Sequence, residues 1–282
     1  MRTVQFWSTA FVIVLAACAC TPEAANGPTE YEPESSVNTE EAAPASTMPV
    51  PAVTVPEQQP HPTAPSYPLL GLDVGDEGAA VELLQTALEA AGFRTGVSID
   101  GHYGPGTASA VLAFEKYHGL ERDGVADPTM LTALRTADVI GPPVGTAPAI
   151  DIDLERQILF ARTSSGELTI LNTSTGNGEL YRAASGRMVR ATTPTGQFSI
   201  ERRIDGVRRA YLGSLYRPLY FNRGWAIHGS ASVPAFPASH GCARVRNSDQ
   251  DWLFETFADG VPVTVHASIP DPVDDQEQWM IQ

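Results

Sequence analysis

The stretch at residues 239–244, Ser-His-Gly-Cys-Ala-Arg, collects the residue types that a thiol nucleophile needs. Cys242 supplies the thiol, and His240 precedes it by two positions. A second histidine, His228, ends the apolar stretch "WAIH" 14 positions before the cysteine. Because a cysteine attacks as the thiolate, an imidazole that accepts its proton would activate it. These residues predict nucleophilic catalysis by a cysteine.

The residues beside the cysteine could stabilise the oxyanion of such a reaction and bind a carboxylate of its substrate. Gly241 permits a tight turn and a close approach of the backbone. The N–H groups of Gly241 and Cys242 could then point at one spot and meet an oxyanion. Arg244, two positions after the thiol, would share its face of an extended segment and could receive a carboxylate through two parallel hydrogen bonds.

Less specific interpretations exist for each of these side chains. A lone histidine at the end of a strand is often structural, and a lone cysteine is often a small buried apolar residue. His228, His240 and Cys242 could also ligate zinc, but zinc sites favour compact spacing and usually pair with a carboxylate base. Asp249 and Asp251 are the nearest downstream carboxylates, and Asp251 is better placed to serve the start of a helix.

The other two cysteines lie in a targeting segment. Arg2 and the apolar residues 4–17 form a signal that is too short for a comfortable membrane span. Leu15-Ala16-Ala17-Cys18 resembles the lipobox of bacterial lipoproteins, which implies a signal peptide at 1–17 and lipidation of Cys18. A plain signal peptide containing Cys18 and Cys20 is the alternative. Unless Cys20 pairs with it, Cys242 is then a lone thiol in an exported protein, which indicates reactivity.

Composition divides the rest of the chain. Residues 18–68 are rich in Pro, Ala, Ser, Thr and Glu, and 21–68 hold seven acids and no Lys or Arg, which predicts a disordered tether. The net charge of −15 comes from the tails and residues 69–135, whereas 136–268 hold twelve acids and thirteen bases. Nucleic acid is therefore not expected as a partner, because the chain offers no basic face.

Residues 69–137 show the pattern of a small three-helix bundle. Helical spacing runs through Val81, Leu84 and Leu88, and then through Val111, Phe114 and Tyr117. Thr107 and Asp127 are the expected N-caps of the second and third helices. The segment resembles the bacterial peptidoglycan-binding domain 1 family, which implies binding to cell-wall glycan or peptide; a bundle that serves only as a spacer is the alternative. The positions that carry this resemblance are Gly75, Gly78, Val81, Leu84, Gln85, Asp100, Gly101, Tyr103, Gly104, Thr107, Gly119, Leu120, Asp123 and Gly124.

After a linker at 138–148, residues 149–268 alternate with the period of β-strands. One helix is expected at 248–257, with Ser248 as its N-cap, and Asp205-Gly206 is expected to turn a hairpin between two arginine pairs. The arginine pairs could be a solvated face or a lid that meets acidic wall peptides. Residues 269–282 form an acidic tail. The fold class is thus multidomain: the helical bundle, followed by a mainly β domain with mixed sheets and one helix.

His228-Gly229 and the hexapeptide at 239–244 together resemble the L,D-transpeptidase (YkuD-type) catalytic domain. Residues 174–176 (Ser-Thr-Gly) and 193–198 (Thr-Pro-Thr-Gly-Gln-Phe) add to the resemblance. It implies that Cys242 is the nucleophile, that His228 is its base and that the carbonyl of Gly229 orients His228. His240 and Gly241 would shape the oxyanion side, while Ser239 and Arg244 would bind substrate.

One departure concerns the loop at 229–238. Only 11 positions separate His228 from Ser239, fewer than is common in that family, which affects the expected shape of the substrate cleft.

The resemblance further implies a function. Peptidoglycan stem peptides would be donor and acceptor, the product would be a 3→3 cross-link formed through a cysteine thioester, and no cofactor would be needed. Carbapenem-type β-lactams would acylate the same thiol. The protein is expected outside the cytoplasm, anchored to the membrane by a lipid on Cys18. An L,D-carboxypeptidase that releases terminal D-Ala and a non-catalytic wall-binding lipoprotein are the alternatives.

Overall fold

The computed structural model describes residues 71–96, 98–136 and 146–269. The expectations for the signal peptide, for Cys18, for the tether and for all but the first residue of the acidic tail lie outside these residues. Among the described residues, no helix is long and apolar enough to cross a membrane.

In the described part of the chain, three helices precede the first strand: α1 (Ala79–Ala90), α2 (Pro105–His118) and α3 (Pro128–Thr136). The apolar stripe of α1 is buried as its spacing predicts. The backbone N–H of Met130 donates to the Asp127 carboxylate at 2.7 Å, which confirms the cap of α3. The cap expected at Thr107 is wrong, because α2 begins at Pro105 with Gly104 as its N-cap. Thr107 is instead buried in the first turn, where its hydroxyl accepts from Gln85 at 3.0 Å.

The side chain of Gln85, on α1, holds the Asp100-Gly101 pair of the motif. Its side-chain NH₂ donates to the carboxylate of Asp100 at 2.8 Å, and its carbonyl oxygen accepts from the N–H groups of Asp100 and Gly101. Gln85 is fully buried, so these bonds replace the water that its amide would otherwise bind. The motif residues therefore close the turn that leads into α2.

Strands and one further helix form the second half of the described chain. The strands are β1 (Ala149–Asp153), β2 (Ile158–Arg162), β3 (Leu168–Asn172), β4 (Leu180–Arg182), β5 (Met188–Arg190), β6 (Gly196–Ser199), β7 (Arg202–Arg203), β8 (Val207–Ala210), β9 (Gly213–Asn222), β10 (Trp225–Ser230), β11 (Ala243–Arg246) and β12 (Pro262–His266). One sheet has the order β3-β2-β1-β12-β6, and a second has β11-β10-β9-β7 with β8 also paired to β9. Both are mixed, since β1–β12 and β10–β11 are parallel and the other pairs are antiparallel.

The first sheet is buried on both faces at β2 and β3. Along β2, Leu159 and Ala161 pack into the core that the two sheets share. Ile158 and Phe160, which alternate with them, pack with Ile170 into the core of the helices. Because successive side chains of a strand point to opposite faces, β2 and β3 serve two cores at once.

Two local expectations are wrong. The last helix, α4, spans Asn247–Thr256 with Arg246 as its N-cap, so Ser248 does not cap it. Arg246 instead binds the Asp249 carboxylate with two N–H donors, at 2.7 and 2.8 Å. Asp251 does not serve the start of the helix either, because it accepts from the Tyr216 hydroxyl at 2.8 Å.

The segment around Asp205-Gly206 is not a hairpin turn. β7 and β8 both pair with β9, so residues 204–206 interrupt one ribbon rather than reverse it. The chain reverses later, at Tyr211-Leu212, where both side chains are exposed.

Candidate active site

His228 and Cys242 are brought together by the parallel pairing of β10 with β11. The register places Ile227 beside Ala243 and His228 beside Arg244. Ile227 and Ala243 belong to the core between the sheets. Because side chains alternate along each strand, His228, Cys242 and Arg244 share the opposite face. All three line one cavity of about 740 Å³.

The His228 ring is held in a defined orientation. Its Nδ1 lies 2.9 Å from the backbone carbonyl oxygen of Gly229, so Nδ1 carries the proton of the neutral ring and Nε2 is left as the acceptor. Burial lowers the pKa of His228; the bond to Gly229 raises it, and the charge of Arg244 lowers it further. The imidazole is therefore neutral near pH 7 and able to accept a proton.

Cys242 is a free cysteine and is held as a thiol. Its Sγ donates a long contact of 3.8 Å to the carbonyl oxygen of Gly224. Burial raises the pKa of Cys242, while the backbone N–H of Ala226 and the positive charge of Arg244 act in the opposite direction. The resting pair is thus a neutral thiol and a neutral imidazole.

The turn before the thiol is closed by Ser239. Its hydroxyl accepts from the N–H of Gly241 at 2.9 Å and donates to the carbonyl of Cys242 at 2.6 Å. Gly241 has φ +134°, and a Cβ there would lie 2.7 Å from Nε1 of Trp225, so only glycine fits. Two expectations change in consequence: Ser239 uses its hydroxyl inside the turn, and the Gly241 N–H already has an acceptor.

The other two motif segments hold this turn in place. Ser174 and Arg244 exchange two backbone hydrogen bonds of 2.9 and 3.1 Å. The Thr193 hydroxyl donates to the Gly241 carbonyl at 2.7 Å and accepts from the Gly176 N–H at 3.0 Å. Three stretches that are far apart in sequence therefore meet at the thiol. The sequence marked Thr193 by resemblance alone and assigned it no role.

The walls of the cavity carry positive charge and aromatic surface. Its lining includes four arginines and no Asp or Glu: Arg190, Arg202, Arg208 and Arg244. The Arg202 guanidinium lies 3.5 Å above the ring of Tyr220, whereas no carboxylate of the described residues pairs with Arg244. His240 is exposed and packs edge-on against Tyr181, with ring centroids 4.8 Å apart. The cleft thus offers cationic groups to an anionic ligand.

The metal alternative has no cluster to support it in residues 71–96, 98–136 and 146–269. No three side chains of His, Cys, Asp or Glu come together there in an arrangement that could hold a metal ion.

Comparison with known proteins agrees with this geometry. The family model "L,D-transpeptidase catalytic domain" matches residues 147–265, and the model "Putative peptidoglycan binding domain" matches residues 77–134. The crystal structure of the L,D-transpeptidase from Xylanimonas cellulosilytica is 41% identical, with a TM-score of 0.65. The match covers 73% of this chain and 100% of that one. The chain belongs to the L,D-transpeptidase family.

Curated relatives resemble shorter parts of this L,D-transpeptidase family member. An N-acetylmuramoyl-L-alanine amidase of Mycobacterium tuberculosis, CwlM, is 39% identical over 57 residues, which are 20% of this chain and 14% of that protein. An uncharacterised protein of Kitasatospora aureofaciens is 38% identical over 77 residues, which are 27% of this chain and 64% of that protein. The chain therefore spans less than two thirds of either relative.

Proposed function

We propose that this protein cross-links peptidoglycan, joining two stem peptides 3→3 through a thioester on Cys242. The observation that carries the proposal is that His228, on β10, and Cys242, directly before the parallel strand β11, line the same cavity. The hydrogen bond that leaves Nε2 of His228 as an acceptor supports the role of base.

The first half-reaction transfers an acyl group to the enzyme. His228 Nε2 takes the proton from Cys242 Sγ, and the thiolate attacks the carbonyl carbon of the third stem residue, in the amide that joins it to the terminal D-Ala. The C–N bond breaks as the tetrahedral intermediate collapses, His228 returns the proton to the leaving amine, and free D-Ala departs. A thioester on Cys242 remains.

Stabilisation of the oxyanion depends on the turn before the thiol. Since the Gly241 N–H already donates to Ser239, we assign the oxyanion to the backbone N–H of Cys242 and to the side of the cleft where His240 lies. Ser239 then acts by fixing the peptide planes of Gly241 and Cys242.

The second half-reaction uses the side-chain amine of a neighbouring stem peptide. The amine attacks the thioester, loses a proton to His228, and forms a new amide as Cys242 regains its hydrogen. One amide is exchanged for another, so the reaction needs no external energy source and no cofactor.

The arginines of the cleft support an anionic peptide substrate. Stem peptides carry carboxylates, and Arg244 lies beside the thiol without a carboxylate partner among the described residues. A guanidinium binds a carboxylate through two charge-assisted hydrogen bonds, which would place the scissile amide against Cys242.

We further propose that the region matching the peptidoglycan-binding family holds the enzyme on the wall, and that a lipid on Cys18 holds it to the membrane. Fractionation of cells tests the anchor, because Cys18→Ser should move the protein from the membrane fraction to the soluble fraction. Retention of Cys18→Ser in the membrane fraction would contradict lipid anchoring.

Incubation of the exported chain with purified disaccharide-tetrapeptide, followed by mass spectrometry, tests the reaction. A cross-linked dimer that lacks one D-Ala supports transpeptidation. A tripeptide monomer without dimer would favour the L,D-carboxypeptidase, in which water resolves the thioester. No product at all would favour a wall-binding protein without catalysis.

Two variants control this experiment. Cys242→Ala should abolish both products, and a product that survives it would contradict the thiol mechanism. Ser165→Ala changes an exposed turn residue that does not line the cavity and should leave the yield unchanged.

A further inference from the structure

Lys116 is the only lysine in a chain with 17 arginines, and it is buried. It lies in α2, within the region that matches the peptidoglycan-binding family, and is 1% exposed. Lysine is almost never fully buried unless its ammonium is paired, so this position requires an explanation.

All three donors of its ammonium find acceptors in the catalytic half of the chain. Nζ donates to the backbone carbonyls of Gln157 at 3.2 Å and Thr173 at 3.0 Å, and to the side-chain oxygen of Asn172 at 2.5 Å. A tetrahedral ammonium satisfies three oxygens that converge in this way, whereas the planar fork of arginine does not. The site thus accounts for a lysine in a chain that otherwise uses arginine.

The acceptors lead directly to the strand that carries the thiol. The Thr173 hydroxyl donates to the carbonyl of Arg244 at 2.7 Å. The Asn172 side-chain NH₂ donates to the carbonyl of Val233, in the short loop between the two halves of the site, at 3.2 Å. Two hydrogen bonds therefore link the lysine to the backbone two residues after Cys242.

A second contact of the helical region reaches the other end of β11. Arg246, the last residue of that strand, donates to the carbonyl of Arg94 at 3.4 Å. Arg94 also lies 3.8 Å from the Asp249 carboxylate, measured from its Nε. The strand next to Cys242 is thus contacted near its start by Thr173, which Lys116 holds, and at its last residue by Arg94 of the helical region.

We propose that Lys116 is a positioning residue for Cys242, acting through Asn172 and Thr173 on β11 and on the loop at 229–238. The helical region then completes the catalytic site in addition to any contact with the wall. This inference uses the proposed function only in taking Cys242 as the reacting group.

The test compares the reactivity of Cys242 in Lys116→Met, in Thr173→Val and in a matched control, Thr169→Val. Thr169 lies on the same strand as Asn172 and is paired with Ala161, away from β11. Iodoacetamide is the probe, and the peptide that contains Cys242 is quantified by mass spectrometry in the mature chain. The rate should fall by about tenfold in the first two variants, because small displacements of a reacting group are costly. It should stay within about twofold in Thr169→Val.

The double variant shows whether the two residues act along one path. If they do, Lys116→Met/Thr173→Val should react about as slowly as the slower single variant, since coupled sites are not additive. Additive losses would contradict the path through Thr173. Near-UV circular dichroism of each variant establishes that it is folded, and Thr173→Val serves if Lys116→Met does not fold.

A pH profile separates positioning from simple support of the fold. The three oxygens that accept hydrogen bonds from Lys116 are neutral. The charged groups that shift its pKa are Arg122 and Glu115 of the helical region. The pKa of Lys116 is lowered to about 7: burial has the largest effect, the charge of Arg122 also lowers it, and Glu115 acts in the opposite direction. Lysine labelled with ¹⁵N gives one side-chain signal in this chain, so its titration can be followed directly.

The ratio of the wild-type alkylation rate to the Lys116→Met alkylation rate should be largest below about pH 7, where Lys116 is charged. The ratio should decline above that pH, because a neutral amine has only two donors for three acceptors. A constant ratio, or an unchanged rate in folded Lys116→Met, would overturn the proposal. Turnover of tetrapeptide is measured in parallel. If wild-type Cys242 alkylates normally but forms no cross-link, the proposed function fails while the positioning of the thiol is still decided by the alkylation rates.

Discussion

Replacement of Thr193 by valine should detach the turn before the thiol from its support. Valine has nearly the shape of threonine, so the change removes the hydroxyl and leaves the packing in place. Two backbone groups then lose their partner: the buried Gly241 carbonyl, now at 2.7 Å from the hydroxyl, and the partly buried Gly176 N–H, at 3.0 Å. Thr193 is 7% exposed, so water does not readily replace it.

The magnitude follows from the two groups left without a partner. Each buried polar group that loses its hydrogen bond costs about 1–3 kcal/mol, and the Gly176 N–H is only partly buried, so Thr193→Val should lower the free energy of unfolding by about 2–4 kcal/mol. Thr193→Ser keeps the hydroxyl and loses one methyl group, which should cost about 1 kcal/mol. The difference between the two variants isolates the hydrogen bonds.

Urea unfolding at pH 7 measures the free energies, and acylation of Cys242 by a carbapenem measures the site. Thr193→Val should acylate about tenfold more slowly than Thr193→Ser in the absence of urea, because the turn that presents the thiol is released. Equal stability of the two variants, within about 0.5 kcal/mol, would refute the assignment of these bonds.

Three further predictions concern pH and charge. Burial lowers the pKa of His228 below 6.5, so the acid limb of Cys242 acylation should lie below pH 6.5; a limb centred above that value would contradict a buried base. Burial raises the pKa of Glu115 from 4.5 to about 8, so the folded state binds the extra proton and stability should fall as pH rises between these values. Glu115→Gln should flatten that dependence in thermal unfolding, and an unchanged slope would argue against it. Arg244→Gln should raise KM for tetrapeptide by about tenfold, while the rate of alkylation by iodoacetamide, corrected for the change in the Cys242 pKa, should stay within about twofold; an equal loss in both assays would argue against a carboxylate contact.

Much of the fold follows from local patterns in the sequence. The strands β1, β2, β10 and β12 alternate or bury apolar residues and were predictable on that basis. The strands β4, β5 and β8 were not, because their side chains are almost all exposed and carry no burial period. These strands are held by backbone hydrogen bonds to a neighbouring strand. The order of apolar and polar residues along the sequence does not reveal such pairing.

The N-caps predicted for α2 and α4 are wrong for a related reason. Ser248 and Thr107 have the chemistry of N-caps, but the tertiary fold gives both places to other groups. At α4 the chain enters the helix directly from β11, and Arg246 satisfies Asp249. At α2 the hydroxyl of Thr107 belongs to the Gln85 network.

The candidate site divides in the same way. The meeting of His228 and Cys242 at one cavity was predictable, because one short motif contains the cysteine and another contains the histidine proposed as its base. Lys116 was not, since its acceptors lie 41 to 57 positions away and two of them are backbone carbonyls that any residue type would provide. The hydrogen bonds of the Ser239 hydroxyl within the turn were not predicted, because a hydroxyl beside a cysteine can contact either a ligand or the turn itself.

The two-faced burial of β2 and β3 has a consequence for how the molecule can be divided. Removal of the helices would expose Ile158, Phe160 and Ile170 together on the surface of a sheet. Apolar sheet faces of this kind promote association between chains. We therefore expect the helices and sheets to melt in a single calorimetric transition, and a chain that begins at residue 146 to be poorly soluble. A chain that carried this sheet without the helices would therefore need polar residues at positions 158, 160 and 170.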